Sequence, residues 1–239
     1  MRAHFDDIFG QVLADGDYGL GLANNFNGSL VTGTFFGPVR VSVMLDANGA
    51  NTTAAAAVLS AMKHVALEKT TALVLGGTGP VGQRAARLLA RSGACVRVGS
   101  RKLDRAQEVC AALRQRLPDA EFLPIATDSP TELRSALDGA VALIAAGAPG
   151  AVLLPADARR EAKALRVAID LNAVPPLGLE GIEVTDKAVE RDGVVTYGAI
   201  GVGGLKMKIH KAALRKLFES NTLVLDAEEI FEIGQREQR

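Results

Sequence analysis

Residues 71–85 read TALVLGGTGPVGQRA, and the reading of this stretch decides the fold. Ala72–Leu75 is a short apolar run, the pattern of a strand buried on both faces. Glycines follow in a G-x-G-x-x-G arrangement at Gly77, Gly79 and Gly82, and Val81–Ser92 has the composition of a helix. The triplet alone is a weak signal; the strand before it and the helix after it are the context the motif requires. In that context Gly77 permits the tight turn, Gly79 lets a pyrophosphate approach the backbone, and Gly82 lets helix and strand pack closely. The unpaired N–H groups at the helix start then face the anion. The competing reading is a glycine-rich turn with no ligand.

Outward from this unit the pattern repeats. Strands are expected at 94–99, 121–125, 141–145, 167–171 and 194–197, with helices at 103–117, 130–137, 155–164 and 205–218 between and after them. Short apolar strands alternating with helices specify an α/β protein with a doubly wound, Rossmann-type parallel sheet covered on both faces. Upstream, a helix is expected near Phe5–Leu13. The alternating, β-branched run Val39–Leu45 reads as a strand, Asn48-Gly49 as a turn, and Asn51-Thr52-Thr53 as the capped start of an Ala-rich helix reaching about Glu68. An acidic helix around Asp226–Gly234 closes the sequence.

The end of the second strand discriminates between cofactors. An NAD site places Asp or Glu there, roughly 20 residues past the glycines, to bond the ribose 2′-hydroxyl. This chain has Ser100-Arg101-Lys102, a hydroxyl and two cations, which suits the 2′-phosphate of NADP. A solvated helix start is the alternative, but cations at a helix N-terminus are mildly unfavourable without an anion. Ala146, Gly147 and Ala148 end a later strand with side chains small enough for a nicotinamide ring to lie against the backbone. Asn172 follows the next strand, at the carboxyl edge where open parallel sheets bind ligands. Both segments are equally readable as loop punctuation. Gly198–Gly204 reads as a second glycine-rich turn feeding a helix. Leu205, Ile209, Ala213 and Leu217 form its buried stripe, and Lys206 sits at its start, where a cation faces a ligand or a carboxylate. His210 reads as a packing or surface residue.

Composition narrows the classes. Lys+Arg 27 balance Asp+Glu 27, and aromatics are 4% with no Trp, against a general nucleic-acid binder. The three histidines lie far apart and Cys95 and Cys110 form no CxxC, so no metal-ligand spacing exists. The two cysteines read as free thiols of a reducing compartment. No apolar run reaches the ~20 residues of a membrane span and no secretory signal is visible, so a cytoplasmic protein is expected.

Several long segments resemble one family. Phe35–Ala55 (FFGPVRVSVMLDANGANTTAA), the GGTGPVG loop, GSRKLDRAQ at 99–107, LNAVPPLGLEGIEVTDK at 171–187 and GAIGVGGLKMKIHKAALRKLFES at 198–220 are similar to the NADP-dependent methylene-tetrahydromethanopterin and methylene-tetrahydrofolate dehydrogenases of methylotrophic bacteria. The resemblance runs from about Thr34 to Gly234. It implies a homo-oligomeric C1-transfer enzyme acting on a tetrahydropterin one-carbon carrier. By resemblance Gly77, Thr78, Gly79, Pro80 and Val81 cradle the pyrophosphate, and Ser100, Arg101 and Lys102 hold the 2′-phosphate. Ala146, Gly147 and Ala148, with Gly201 and Gly203, flank the nicotinamide. Lys206 matches the active-site lysine of the GGLK motif, and Asn48 and Asn51 lie in the segment that faces the pterin. Family members carry a longer N-terminal α/β segment to which residues 1–34 do not correspond. The expected organisation is therefore a shortened substrate-side segment over 1–68, an NADP-binding domain over 69–219, and a C-terminal helix over 220–239 packing back on the N-terminal part.

The implied chemistry is hydride transfer from the methylene carbon to NADP, which needs no base because no proton leaves the carbon. Two other classes stay open. One is an NADP-linked reductase of shikimate or glutamyl-tRNA type, although residues 1–46 lack the lysine of the shikimate-type pair. The other is a non-catalytic NADP-binding sensor.

Overall fold

The computed structural model describes residues 42–238; the helix expected near Phe5–Leu13 and the first part of the strand expected at 39–45 lie outside the described residues. The described chain opens with β1 (Val43–Met44), a 3-10 turn over Ala47–Gly49 and helix α1 (Ala50–Ala61). Alternation then runs β2 (Thr71–Leu75), α2 (Pro80–Arg91), β3 (Cys95–Ser100), α3 (Leu103–Arg116), β4 (Phe122–Ala126), α4 (Pro130–Leu137), β5 (Ala140–Ala145), α5 (Ala156–Glu161) and β6 (Val167–Asp170). A hairpin of β7 (Lys187–Arg191) and β8 (Val194–Tyr197) leads into α6 (Ala199–Leu217), β9 (Val224–Leu225) and α7 (Ala227–Arg236).

Seven strands form one sheet in the order β4-β3-β2-β5-β6-β8-β7. Every pairing in it is parallel except β7 with β8. The chain leaves β2 for β3 and β4 on one side, then crosses to β5 on the other. This switch between β2 and β5 opens a crevice at the carboxyl ends of the strands. Pleating divides the core. Ala72 and Val74 face a layer built from α1, α2, α3, α6 and α7, whereas Leu73 and Leu75 face a smaller layer with α4 and α5.

Three features depart from the sequence reading. β7, KAVER, is mostly exposed, and as a polar edge strand it has no buried face to generate an apolar pattern. Its signal is the Asp192-Gly193 pair, both at positive φ (53° and 75°) as a tight hairpin turn requires. α1 stops at Ala61 instead of about Glu68, because residues 62–70 turn back to feed β2, with Leu67 buried and accepting a bond from Thr70 N. It starts at Ala50 behind Gly49, so Asn51 and Thr52 lie inside the first turn and do not cap it. α6 begins at Ala199, which puts Gly201, Gly203 and Gly204 within the helix. Its first turn docks on the loop before β7: Gly198 N donates to Asp186 O, and Ile200 N to Val184 O. That contact outweighs the cost of about 1 kcal/mol for glycine inside a helix.

α1 holds the larger layer together. It carries no charged residue, is buried almost all round, and packs against α2, α6 and α7. No helix among the described residues is long and apolar enough to cross a membrane.

Candidate active site

The glycine loop sits at the carboxyl end of β2, beside the ends of β3 and β5. Gly76, not Gly77, makes the turn: its φ is +67°, and a β-carbon there would lie 2.6 Å from Gly147 Cα. Gly77 packs instead on β3, where a β-carbon would stand 2.8 Å from Val98 Cγ1, and its N–H donates to Gly99 O. Gly82 has no room for a side chain against the Gly76 carbonyl. Gly79 caps α2 without a side-chain bond and has only ordinary contacts around its missing β-carbon. Thr78, Gly79, Pro80 and Val81 are half-buried around it. The first-turn N–H groups of α2 have no partner within the helix and point out of its end. Ala146 and Gly147 close the other wall of the crevice, and Ala148 is exposed just beyond.

At the end of β3, Ser100 is 8% exposed and its hydroxyl oxygen accepts from Lys102 N at 3.2 Å. The Arg101 and Lys102 side chains are exposed, with no hydrogen bond or ion pair among the described residues. The arrangement fits a nicotinamide dinucleotide. The backbone is bare where a pyrophosphate would lie, small residues line the β5 side, and two unneutralised cations stand at the end of β3.

A second cluster forms where α6 crosses the start of α1. Lys206 is the eighth residue of α6, about 10 Å from its N-terminus, and so does not stand at the helix start as its glycine-rich setting suggested. What marks it is its surroundings. A β-carbon on Gly49 would stand 2.6 Å from Lys206 Nζ, so the half-buried ammonium lies against the bare backbone of the 3-10 turn. No carboxylate of the described residues lies within ion-pair distance of it. Asn48, exposed beside it, holds φ +52°. One turn along α6, His210 Nδ1 stands 3.6 Å from Asp46 Oδ2. The sequence reading gave neither residue a place here. The i, i+4 spacing of Lys206 and His210, on one helix face, was the available signal.

Three of the expected site residues, Asn51, Gly201 and Asn172, are already engaged in the protein's own packing and hydrogen bonding. Asn51 is 1% exposed, and its amide donates to Leu45 O and to Asp226 Oδ1, so it braces α1 beneath the surface and does not face a substrate. Gly201 is buried where a β-carbon would collide with the Asp186 carbonyl, so it serves the docking of α6; Gly203 faces open space. Asn172 is 7% exposed, with its carbonyl accepting from Val174 N and its amide donating to Pro176 O. It shapes the loop after β6 together with Asp170. Burial pushes the Asp170 carboxyl up, against the opposing bonds from Leu179, Asn172 and Gly178 N–H groups. A cavity of about 480 Å³, lined by Arg134, Gly139, Glu161 and Lys163, opens at the amino ends of β5 and β6, away from both clusters, and its Arg134 is already paired with Glu161.

Over 202 residues the chain is 45% identical to the bifunctional protein MdtA of Methylorubrum extorquens, an alignment covering 84% of this chain and 70% of that protein. Over 210 residues it is 30% identical to the NAD(P)-dependent methylenetetrahydromethanopterin dehydrogenase of the same organism, with the same shares covered. The chain belongs to the methylene-tetrahydromethanopterin dehydrogenase family. No family model matches it. Among solved structures, the transhydrogenase of Sinorhizobium meliloti superposes with a TM-score of 0.50 at 19% identity, covering 74% of this chain and 58% of that one. That likeness is one of fold. In this member of the methylene-tetrahydromethanopterin dehydrogenase family, α1 joins the two clusters, packing on α2, which the glycine loop opens, and on α6, which carries Lys206.

Proposed function

We propose that this chain is an NADP-linked dehydrogenase that oxidises the methylene form of a tetrahydropterin one-carbon carrier, tetrahydromethanopterin or tetrahydrofolate, to the methenyl form. The observation that carries the reading is the unneutralised Ser100-Arg101-Lys102 corner beside a bare glycine loop, in a chain whose relative of 30% identity is a dehydrogenase for this substrate class. Gly77, Thr78, Gly79, Pro80 and Val81 would hold the pyrophosphate, Ser100, Arg101 and Lys102 the 2′-phosphate, and Ala146–Ala148 the face of the nicotinamide. Bound there, NADP⁺ supplies the hydride acceptor. The chain's own part is orientation and electrostatics. Lys206 donates hydrogen bonds to the pterin from its seat on Gly49, and Asn48 presents a second polar group at the same surface. The methylene carbon loses no proton, and its cation is stabilised by the flanking nitrogen lone pairs, so the reaction needs no base.

The test is direct. Mixing the protein with NADP⁺ and either methylene-tetrahydropterin is expected to raise the absorbance of the reduced nicotinamide. Tight NADP⁺ binding without turnover on both carriers would replace the enzyme with a sensor. A double Arg101→Ala, Lys102→Ala variant is expected to weaken NADP⁺ binding about 100-fold or more by calorimetry, while NAD⁺ binding changes little, since each charge-assisted bond to phosphate contributes about 1.5–3 kcal/mol and two are lost. Equal losses for both nucleotides would overturn the 2′-phosphate assignment.

A further inference from the structure

The proposed reaction leaves Asp46 and His210 without a role, yet both are built into the wall of the site. The Asp46 side chain is 7% exposed, and its oxygens accept from Thr52 N at 3.0 Å and Thr52 Oγ1 at 2.8 Å. Its carbonyl accepts from Gly49 N at 2.9 Å. These bonds close a loop over residues 46–52 whose middle holds two successive left-handed residues, Asn48 and Gly49. α6 touches this loop twice from one face: Lys206 Nζ lies against Gly49, and His210 Nδ1 stands 3.6 Å from Asp46 Oδ2. At that separation the contact is charge attraction rather than a hydrogen bond, so its strength depends on whether the imidazole carries a second proton. The neighbouring elements carry further charged groups. α1 and β1 carry none; α7 carries Glu228, Glu229, Glu232 and Arg236, β7 carries Lys187, Glu190 and Arg191, and α6 itself adds Lys206, Lys208 and Lys211. Among the described residues Asp46 is the one carboxylate within 4.0 Å of the ring.

We propose that His210 is a positioning residue: by gripping Asp46 it fixes the Asn48–Gly49 turn against which Lys206 rests, and it does so more firmly when the imidazole is protonated. That Lys206 faces the carbon donor depends on the function proposed for the chain; the coupling of His210 to the turn does not. The two are therefore measured separately. Proton–nitrogen correlation spectra of the full chain, recorded from about pH 5.5 to 8.5 across the imidazole range, follow the Gly49 amide. In the wild type that resonance is expected to titrate with the same midpoint as the His210 ring; in His210→Asn it is expected to stay flat. A Gly49 resonance that ignores pH in the wild type, or titrates unchanged in His210→Asn, overturns the coupling. In turnover assays at the acid end, His210→Ala is expected to raise KM for the methylene-tetrahydropterin about three- to tenfold, the range of coupling through one packed element. There kcat holds, His210→Asn recovers part of the loss, and the gap narrows towards alkaline pH. A KM that matches the wild type at every pH removes His210 from positioning. A wild type that turns over neither carrier while Gly49 still follows His210 refutes the enzyme function and supports the coupling.

Discussion

Lys206 shows how much a single side chain depends on what it rests against. Its ammonium lies over Gly49, where any β-carbon would displace it. With no carboxylate of the described residues in reach, the charge is available to a ligand. Lys206→Ala is expected to lower kcat/KM for the methylene-tetrahydropterin about a hundredfold, the scale of lost substrate orientation. NADP⁺ affinity, measured by calorimetry, is expected to stay within about twofold, since the corner proposed to bind the phosphate belongs to other elements. Lys206→Arg is not a conservative repair, because a planar guanidinium does not fit the space of a compact ammonium. The GGLK setting singles the lysine out in the sequence, but the helix begins at Ala199, so the lysine does not stand at a helix start. Asp46 and His210 lie 164 residues apart (210 − 46) and meet only in the fold.

Among elements, strands buried on both faces were the easiest to read. β2, β5 and β6 are almost wholly apolar runs, β3 interrupts its apolar residues with a half-buried Arg97, and each was placed to within a residue or so. β7 escaped because it is polar, and the start of α6 escaped because glycines that read as a loop are tolerated inside a helix whose first turn is docked. That docking centres on Asp186. Arg191 grips its carboxylate with two bonds of 2.6 and 2.7 Å, Thr196 Oγ1 adds one at 2.9 Å, and the Asp186 carbonyl receives Gly198 N. The Arg191 bond, first among the causes, holds the Asp186 carboxyl below its ordinary value, against the opposing effect of burial. A depressed folded-state value contributes stability above the unfolded carboxylate range and loses it as pH falls from the unfolded value through the lower, folded one. The wild type is therefore expected to lose melting temperature below about pH 4. Arg191→Ala is expected to cost about 3 kcal/mol near neutral pH, as for one partner removed from a buried pair. Its melting temperature is expected to fall less steeply in acid, as thermal scans at several pH values would show.

Across the whole molecule, residues far apart in sequence close one layer. Arg87 on α2 is paired with Asp226 at 3.1 Å and Glu228 at 2.8 Å, and Asp226 also accepts from Asn51 on α1. Ile230 and Phe231 of α7 are buried in the same cluster. Removing the guanidinium strands two half-buried carboxylates, so Arg87→Ala is expected to destabilise by about 3 kcal/mol. Phe231→Ala, a buried aromatic lost, is expected to cost about 3–5 kcal/mol. Denaturant unfolding should show a single transition for both, because α7 and the glycine-loop helix share this core. The sequence announced an acidic last helix but not its partners, since an ion pair across more than a hundred residues leaves no local pattern. The Ala-rich α1 has a consequence for biosynthesis. A ribosome delivers α1 early, whereas α6 and α7, which cover it, emerge only after the entire sheet. Until then only α2 covers it and the faces that α6 and α7 bury stay open, so nascent chains arrested before α6 should be the ones that hold-type chaperones retain.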